Sequence, residues 1–210
     1  MKDDEGILTG VRVLELAHAS SGAFCAKLLA DQGADTIKVE PPGLGDPERH
    51  EPPFIDGAPH PDRSTTFLAL NTNKRGITLD VGQAAGRSLF LKLVSDADVI
   101  IESFQPGHLA ELGLGYDVLR AENPRAILLS ISYFGQHGPY ANYKGDDLVA
   151  QAMGGFLYAV TGPADRPPMG TALQQMELTT GRNGATSPAC PVGPRSWTCR
   201  PPSRGMHGPG

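Results

Sequence analysis

The sequence has only three cysteines, Cys25, Cys190 and Cys199, too few and too irregularly spaced for a disulfide framework or a zinc site. It also lacks any run approaching the ~18 consecutive apolar residues that a membrane span needs. The N-terminus, MKDDEG, is acidic and polar rather than typical of a signal peptide. A formal net charge of −5 gives no reason to expect nucleic acid or an anionic membrane as a partner. These absences predict a cytoplasmic protein without a metal.

Acidic residues are absent from the chain after Glu177, although four arginines follow it. Residues 186–210 contain ten prolines or glycines and no leucine or isoleucine. Such a composition does not favour a packed core element. We therefore predict an ordered domain over residues 7–185 and a disordered tail over 186–210. The residue mixture favours a frameshift or a truncated gene over a natural disordered tail, which remains the alternative.

The segment from Gly10 to Arg49 reads as a βαβ unit. An apolar run over 11–16 is typical of a strand buried on both faces. Ser20 and Ser21 are candidate caps of the following helix, and Gly33 is placed to end it. A second strand begins near Thr36, and the two strands should be parallel. Ligands of such sheets bind at the carboxyl ends of the strands.

The remaining sequence continues the alternation of strands and helices. Residues 41–64 are rich in Pro, Gly, Asp and His and predict a long surface loop. A helix is predicted over 147–156, and its Leu148 side chain should face the protein interior. The pattern predicts an α/β fold with a Rossmann-like parallel sheet and flanking helices. Further strands are predicted at 77–79, 99–101 and 126–131, and further helices at 84–94, 108–112, 116–122 and from 178 onward.

Several short segments, taken together and in order, resemble the family III CoA-transferases. This group includes formyl-CoA transferase, carnitine CoA-transferase and the α-methylacyl-CoA racemases. The likeness extends from about residue 7 to about residue 185 and implies the large domain of that family, truncated. The matching segments are GVRVLEL (10–16), LADQGAD (29–35), IKVE (37–40), PGLGDP (42–47), NKR (73–75), DVIIE (98–102), FQPG (104–107), LGL (112–114), NPR (123–125), FGQ (134–136) and GPYA (138–141).

The resemblance implies a reaction in which an enzyme carboxylate attacks an acyl-CoA thioester. A mixed anhydride and then an enzyme–CoA thioester follow, before the CoA passes to an acceptor acid. The family places an Asp four residues before a Gly, and here Glu177 stands at that position before Gly181. Glu177 is therefore the candidate nucleophile, one methylene longer than the family residue. A role limited to stabilising a helix dipole remains open.

The resemblance also implies a set of residues that bind coenzyme A, the substrate carrier. Phe104 is expected to stack on the adenine. Transferases often have Arg at two positions that are Pro41 and Glu111 here. Other basic residues would then have to face the phosphates, and the candidates are Lys38, Lys74, Arg75 and Lys144. The alternative is that these four side chains are solvated at the surface. The residues carried over by position are Ser20, Ser21, Leu79, Asp80, Ser103, Phe104, Gln105, Lys144 and Gly145.

Three alternatives stay open. The racemase branch has a His where this chain has Asp146, which weakens that assignment. A dinucleotide enzyme would place a ribose contact at Glu40, but the first loop lacks Gly-x-Gly-x-x-Gly. Members of the family are much longer and form interlocked homodimers. The third alternative is therefore an inactive fragment or a non-catalytic binding module. We expect the 210-residue product itself to be inactive.

Overall fold

A parallel β-sheet with helices on both faces forms the framework of the protein in a computed structural model. The model describes residues 6–160, 165, 167, 169–171, 174–186 and 196–199. The strands run in the order β3-β2-β1-β4-β5-β6, and every neighbouring pair is parallel. The strands are β1 (Arg12–Leu16), β2 (Asp35–Glu40), β3 (Arg75–Thr78), β4 (Val99–Glu102), β5 (Ile127–Ile131) and β6 (Ser196–Cys199).

Eight helices connect these strands in the described part of the chain. Two 3₁₀ turns, Pro47–His50 and Ile55–Gly57, lie in the long loop after β2. The helices are α1 (Ser20–Asp31), α2 (Thr65–Leu70), α3 (Ala84–Val94), α4 (His108–Glu111), α5 (Tyr116–Glu122), α6 (Asp147–Met153), α7 (Phe156–Val160) and α8 (Gln175–Thr186). None of the described helices is long and apolar enough to cross a bilayer.

Strands β1, β2, β4 and β5 are buried on both faces, as their apolar sequences predict. Leu14 points into one core with Phe90 and Val94 of α3. Its neighbour Val13 points to the opposite face and packs with Cys25 and other residues of α1. Successive strand residues alternate between faces, so each apolar strand serves two cores.

The strand order places a crevice beside the first strand. The chain moves from β1 outward to β2 and β3 and then returns to β4 on the other side of β1. In open parallel sheets, ligands bind beyond the carboxyl ends of the strands at this reversal. The loops that follow β1 and β4 therefore enclose the expected site.

Three details of the helices differ from the sequence predictions. Ser20 and Ser21 do not cap α1: the N-cap is Ala19, whose side chain forms no capping hydrogen bond. The helix predicted over 147–156 ends at Met153, because Gly155 adopts a φ of 74° and a new helix starts at Phe156. Leu148, predicted to face inward, is 54% exposed because the inward positions of α6 hold Gln151 instead.

Four residues of the predicted disordered tail form a strand. Ser196–Cys199 pair in parallel with β5, from Leu128 opposite Ser196 to Ile131 opposite Cys199. The pairing gives β5 a neighbour on its outer side, where a sheet edge would leave backbone groups unpaired. The ordered domain over residues 7–185 and the disordered tail over 186–210 stay predictions. The remainder of the tail lies outside the described residues apart from Thr186, which ends α8. The frameshift stays a prediction.

Candidate functional site

Glu177 lies in the first turn of α8 and is a buried residue with 8% exposure. The Tyr133 hydroxyl donates a hydrogen bond to Oε1 of Glu177. The backbone N–H of Ser21, in the first turn of α1, donates to Oε2 at 3.2 Å. Both carboxylate oxygens thus have donors, and the chain places a potential nucleophile between two helix N-termini.

The approach of α8 to α1 depends on a glycine. A Cβ added at Gly181 would lie 2.4 Å from the carbonyl oxygen of Ser21 and 3.1 Å from the backbone N of Cys25. Side chains larger than a hydrogen atom would therefore push the two helices apart. Gly181 allows the close contact that puts Glu177 within reach of the Ser21 N–H.

The carboxylate of Asp147 fixes the beginning of α8. Its Oδ1 accepts from the backbone N–H of Met176 at 2.7 Å and from that of Glu177 at 3.0 Å. Gln151 donates to the other oxygen of Asp147 at 2.6 Å. The first turn of a helix has N–H groups without intrahelical partners, and Asp147 satisfies two of them. This cap sets the position from which Glu177 projects.

A cavity of about 220 Å³ opens in front of Glu177. Among the residues that line it, Glu177 is the only one with a formal charge. Aromatic and apolar groups make up much of the wall. The sequence-predicted residues that the structure brings together around this cavity are Ser21, Ser103, Phe104, Gln105 and Glu177.

Burial raises the pKa of Glu177 above its usual range, and the nearby charge of Asp147 acts in the same direction. The hydrogen bonds from Tyr133 and the Ser21 backbone oppose this rise, because they favour the carboxylate. A carboxylate with weak solvation and few hydrogen-bond donors retains nucleophilicity. The site can therefore supply an oxygen nucleophile to a ligand in the cavity.

Ser20 participates in a second buried group behind the nucleophile. Its hydroxyl contacts Oε1 of Glu48, in the 3₁₀ turn after β2, and Oε1 of Gln174, which precedes α8. One hydroxyl carries a single proton, so it can donate to only one of these oxygens. Burial, with the charges of Asp46 and Glu177, raises the pKa of Glu48 to about 7. A protonated Glu48 supplies the missing donor. We call Glu48 and Glu177 the carboxyl cluster.

Lys38 and Lys74 are neither surface residues nor free to contact a phosphate. Lys38 Nζ lies 2.7 Å from Glu15 and 2.6 Å from Asp46, and Lys74 Nζ lies 2.7 Å from the other oxygen of Glu15. All four side chains are at most 3% exposed. Both sequence-based readings of these lysines are therefore wrong. We call Glu15, Lys38, Asp46 and Lys74 the ion-pair cluster.

The other residues predicted to bind coenzyme A do not line this cavity. Leu79 packs against the core, and Asp80 accepts a hydrogen bond from the backbone of Gly82 at 3.0 Å. Lys144 is exposed, and Gly145 lies against the Tyr133 ring, where an added Cβ would be 2.8 Å from Cγ. Ser20 is adjacent but directs its hydroxyl to Glu48 and Gln174. Their binding roles stay predictions.

Phe104 lies in the cavity wall and makes edge-to-face contacts with two histidines. The ring centroids are 5.1 Å from His18 and 5.2 Å from His108. Ser103 Oγ accepts from the backbone N–H of His18 at 2.9 Å, which joins the loops after β1 and β4. Phe104 thus lies beside the crevice, and its stacking on the adenine stays a prediction.

Tyr133, Asp147 and Glu48 are the site residues that sequence reasoning missed. Tyr133 and Asp147 follow strongly patterned elements, but their partners are 44 and 30 residues away. No local spacing indicates such contacts. Glu48 stands in a turn-rich loop, where an acidic residue is ordinarily solvated. A search for polar residues at the carboxyl end of β5 would have identified Tyr133 as a candidate.

The racemase and dinucleotide alternatives depend on the positions of Asp146 and Glu40, and both side chains form hydrogen bonds within the protein. Asp146 caps α6 by accepting from the backbone N–H of Val149 at 2.8 Å, so its side chain serves the helix. Glu40, the candidate ribose ligand, forms two hydrogen bonds with Arg49, at 2.6 and 2.9 Å. Neither carboxylate faces the cavity in front of Glu177. Among the described residues, no group of three His, Cys, Asp or Glu side chains is arranged to hold a metal.

Residues 8–189 match the sequence model of a family described as CoA-transferase family III. A succinate–glutarate CoA-transferase of Agrobacterium fabrum is 43% identical over 176 residues, covering 83% of this chain and 44% of that protein. A succinyl-CoA–D-citramalate CoA-transferase of Chloroflexus aurantiacus is 45% identical over 161 residues, 77% of this chain and 39% of that protein.

Solved structures show the same similarity. The crystal structure of a CAIB/BAIF family protein from Brucella suis aligns with a TM-score of 0.81 and 40% identity, covering 89% of this chain and 49% of that one. A protein from Mycobacterium tuberculosis aligns with a TM-score of 0.77 and 32% identity. The chain spans less than half the length of these relatives.

Proposed function

Because the chain belongs to CoA-transferase family III, we propose that its site moves coenzyme A between carboxylic acids with Glu177 as the nucleophile. The observation that carries the proposal is the buried Glu177 carboxylate, which faces the cavity as its only charged side chain among the described residues. Acyl-CoA and a carboxylic acid are the substrates. The names of relatives include succinate, glutarate, citramalate and oxalate as substrates.

The chemistry requires no net proton transfer. An oxygen of Glu177 bonds to the thioester carbon, and the C–S bond breaks to release the CoA thiolate and leave a mixed anhydride. The thiolate then attacks the side-chain carbon of Glu177 and expels the acyl group as a carboxylate. The acceptor carboxylate reverses these two steps. Splitting one exchange into such steps is covalent catalysis.

The Ser21 N–H has a defined part in this sequence. It donates to Glu177 Oε2 at 3.2 Å and stays fixed because it belongs to the first turn of α1. A backbone donor of this kind stabilises negative charge on the oxygen while the side-chain carbon is tetrahedral. The polar contacts around Glu177 thus include a rigid donor for the enzyme-bound carbonyl.

The same proposal includes binding, location and assembly. Ser103, Phe104 and Gln105 would contact the CoA moiety from the cavity wall. The predicted residues that do not line the cavity would contact CoA only where the bound molecule extends beyond the cavity. We propose a cytoplasmic protein that acts on small molecules. Assembly into an interlocked homodimer, as the resemblance implies, would need chain beyond the part described.

A transfer assay tests the function. The protein is mixed with an acyl-CoA and an isotopically labelled carboxylic acid, and labelled acyl-CoA is followed by mass spectrometry. We expect Glu177→Gln to lower transfer by about 10⁴-fold or more, since the nucleophile is lost. Glu177→Asp, which restores the family residue, should retain measurable transfer with a misplacement penalty.

An inactive fragment is the second candidate, because the chain spans less than half the length of its relatives. Wild-type protein that transfers no more label than Glu177→Gln, with every acyl-CoA and acceptor of a panel of mono- and dicarboxylic acids, would favour it. Joining residues 1–185 to the C-terminal part of the Agrobacterium fabrum relative then shows whether the site functions in a longer chain.

A further inference from the structure

Tyr133 lies just beyond β5, at the same edge of the sheet as the crevice, and its ring lines the cavity. Gly145 packs against the ring, and an added Cβ there would be 2.8 Å from Tyr133 Cγ. The ring is thus held from behind while the hydroxyl points at Glu177. This hydroxyl donates to Oε1, the carboxylate oxygen that the Ser21 N–H does not contact.

The Tyr133 hydroxyl remains protonated beside Glu177. Burial raises the pKa of Tyr133, and the negative charge of Glu177 raises it further. The proton therefore stays on the phenol oxygen across the physiological range. Tyr133 acts as a hydrogen-bond donor and not as a general acid.

We propose that Tyr133 is a catalytic residue, whose hydroxyl holds Glu177 Oε1 before attack and then stabilises the oxyanion of the tetrahedral intermediate. This inference rests on the function proposed above. The Tyr133 hydroxyl contacts the reacting carboxylate directly. It is therefore a second donor at this site, beside the fixed N–H of Ser21.

The geometry allows the Tyr133 hydroxyl to bond to the Glu177 carboxylate before attack and to the oxyanion of the tetrahedral intermediate afterwards. In the tetrahedral intermediate, the attacking oxygen of Glu177 and the former carbonyl oxygen of the substrate are bonded to the same carbon. A hydroxyl that contacts the first oxygen therefore lies close to the second. As the new C–O bond forms, the π electrons of the carbonyl move onto the substrate oxygen. The hydroxyl hydrogen bond then follows the charge from Glu177 to that oxyanion.

The same donor acts when the enzyme-bound intermediate forms. The CoA thiolate adds to the side-chain carbon of Glu177, and an oxyanion develops on one of its two oxygens. Tyr133 and the Ser21 N–H then face the two oxygens of that carbon, and collapse expels the acyl carboxylate. The Tyr133 proton stays on its oxygen throughout these steps.

Tyr133→Phe tests the proposal by removing only the hydroxyl. We expect kcat for CoA transfer to fall by about 10²–10³-fold with little change in KM, as for other single oxyanion donors. Tyr140→Phe is the matched control, because Tyr140 is 49% exposed and does not line the cavity. The proposal is overturned if Tyr133→Phe transfers CoA as fast as Tyr140→Phe.

The pH profile separates this role from simple support of the fold. The Tyr133 hydrogen bond lowers the pKa of Glu177 against the opposing effects of burial and Asp147, and Glu48 is the other acidic group near Glu177. Loss of the hydroxyl should raise the Glu177 pKa, so that the acidic limb of the rate profile moves to higher pH. An unmoved limb would contradict the proposal.

Titration by carbon NMR gives a result that needs no turnover. In protein with ¹³C-labelled glutamate side chains, the Glu177 signal is assigned by its loss in Glu177→Gln. It should titrate at higher pH in Tyr133→Phe than in wild type or Tyr140→Phe. An unchanged titration refutes the hydroxyl contact even if transfer is seen. A shifted titration in a protein without transfer would support the contact while refuting the proposed function.

Discussion

The protein buries two groups of carboxyl side chains near the same edge of its sheet, and they differ in what faces each oxygen. In the ion-pair cluster, the oxygens of Glu15 and Asp46 meet lysine ammonium groups. In the carboxyl cluster, Glu48 and Glu177 meet hydroxyls and backbone N–H groups, and no ion pair of the described residues includes either of them.

The difference shows that the partner, rather than burial alone, decides what a buried carboxyl can do. A buried charge paired with an ammonium is neutralised and held in place. A buried carboxyl with only neutral donors keeps a raised pKa, as Glu48 and Glu177 do. The first cluster is suited to fixing the loop after β2, and the second to chemistry at the cavity.

Lys38→Met should produce the largest change in stability, because it leaves Asp46 buried without its ammonium. The expected loss is about 3–5 kcal/mol in the free energy of unfolding, measured by urea denaturation at neutral pH. Lys27→Met is the control, since the Lys27–Asp31 pair lies on the surface of α1 and should cost under about 1 kcal/mol. Equal losses for the two variants would show that the ion-pair cluster has no structural role.

Glu48→Gln should change how stability depends on pH. The pKa of Glu48 is about 7 in the folded protein against 4.5 for the free side chain. The folded state therefore holds a proton that the unfolded chain has lost between these values, and stability falls as pH rises from about 4.5 to 7. The shift corresponds to about 3 kcal/mol.

The measurement is the free energy of unfolding of wild type and Glu48→Gln at several values from pH 5 to 8. The difference between the two proteins isolates Glu48 from the other titrating groups. The variant should gain relative to wild type as pH rises and then level off above about pH 7. A constant difference across this range would contradict the assignment of Glu48 as the proton holder.

The parts of the fold that depend on local pattern could be predicted from the sequence. The bounds of α3 and α5 follow from apolar spacing, and the structure agrees. The placement of Gly33 correctly indicates where α1 stops, because the helix ends at Asp31 and Gly33 adopts a φ of 97° just beyond it. The parallel sheet with flanking helices is confirmed by the structure and by its similarity to solved family members.

The contacts of the two clusters could not be predicted in this way. Lys38 reaches Glu15 across neighbouring strands, which requires the register of β1 against β2. Glu177 meets Tyr133 only because α8 returns to the carboxyl end of β5. Both depend on tertiary placement. Sequence resemblance identified Glu177 but not the side chains that surround it.

Gly181→Ala should have a smaller effect that is confined to the carboxyl cluster. Alanine normally stabilises a helix by about 1 kcal/mol over glycine, but here its Cβ would lie 2.4 Å from the Ser21 carbonyl oxygen. We expect a net loss of about 1–3 kcal/mol from overpacking, measured by urea denaturation. Arg182→Ala, at an exposed position of the same helix, is the control and should be nearly neutral. A stabilised Gly181→Ala protein would show that α1 and α8 are not in close contact.

The position of the covalent adduct tests the central claim most directly. The protein is incubated with an acyl-CoA, the enzyme-bound intermediate is trapped with hydroxylamine or borohydride, and the modified residue is located by peptide mass spectrometry. We predict modification at Glu177, with none at Glu15, Asp46 or Glu48, and no trapped product in Glu177→Gln. Modification at another buried carboxyl, or adduct formation that persists in Glu177→Gln, would contradict the account.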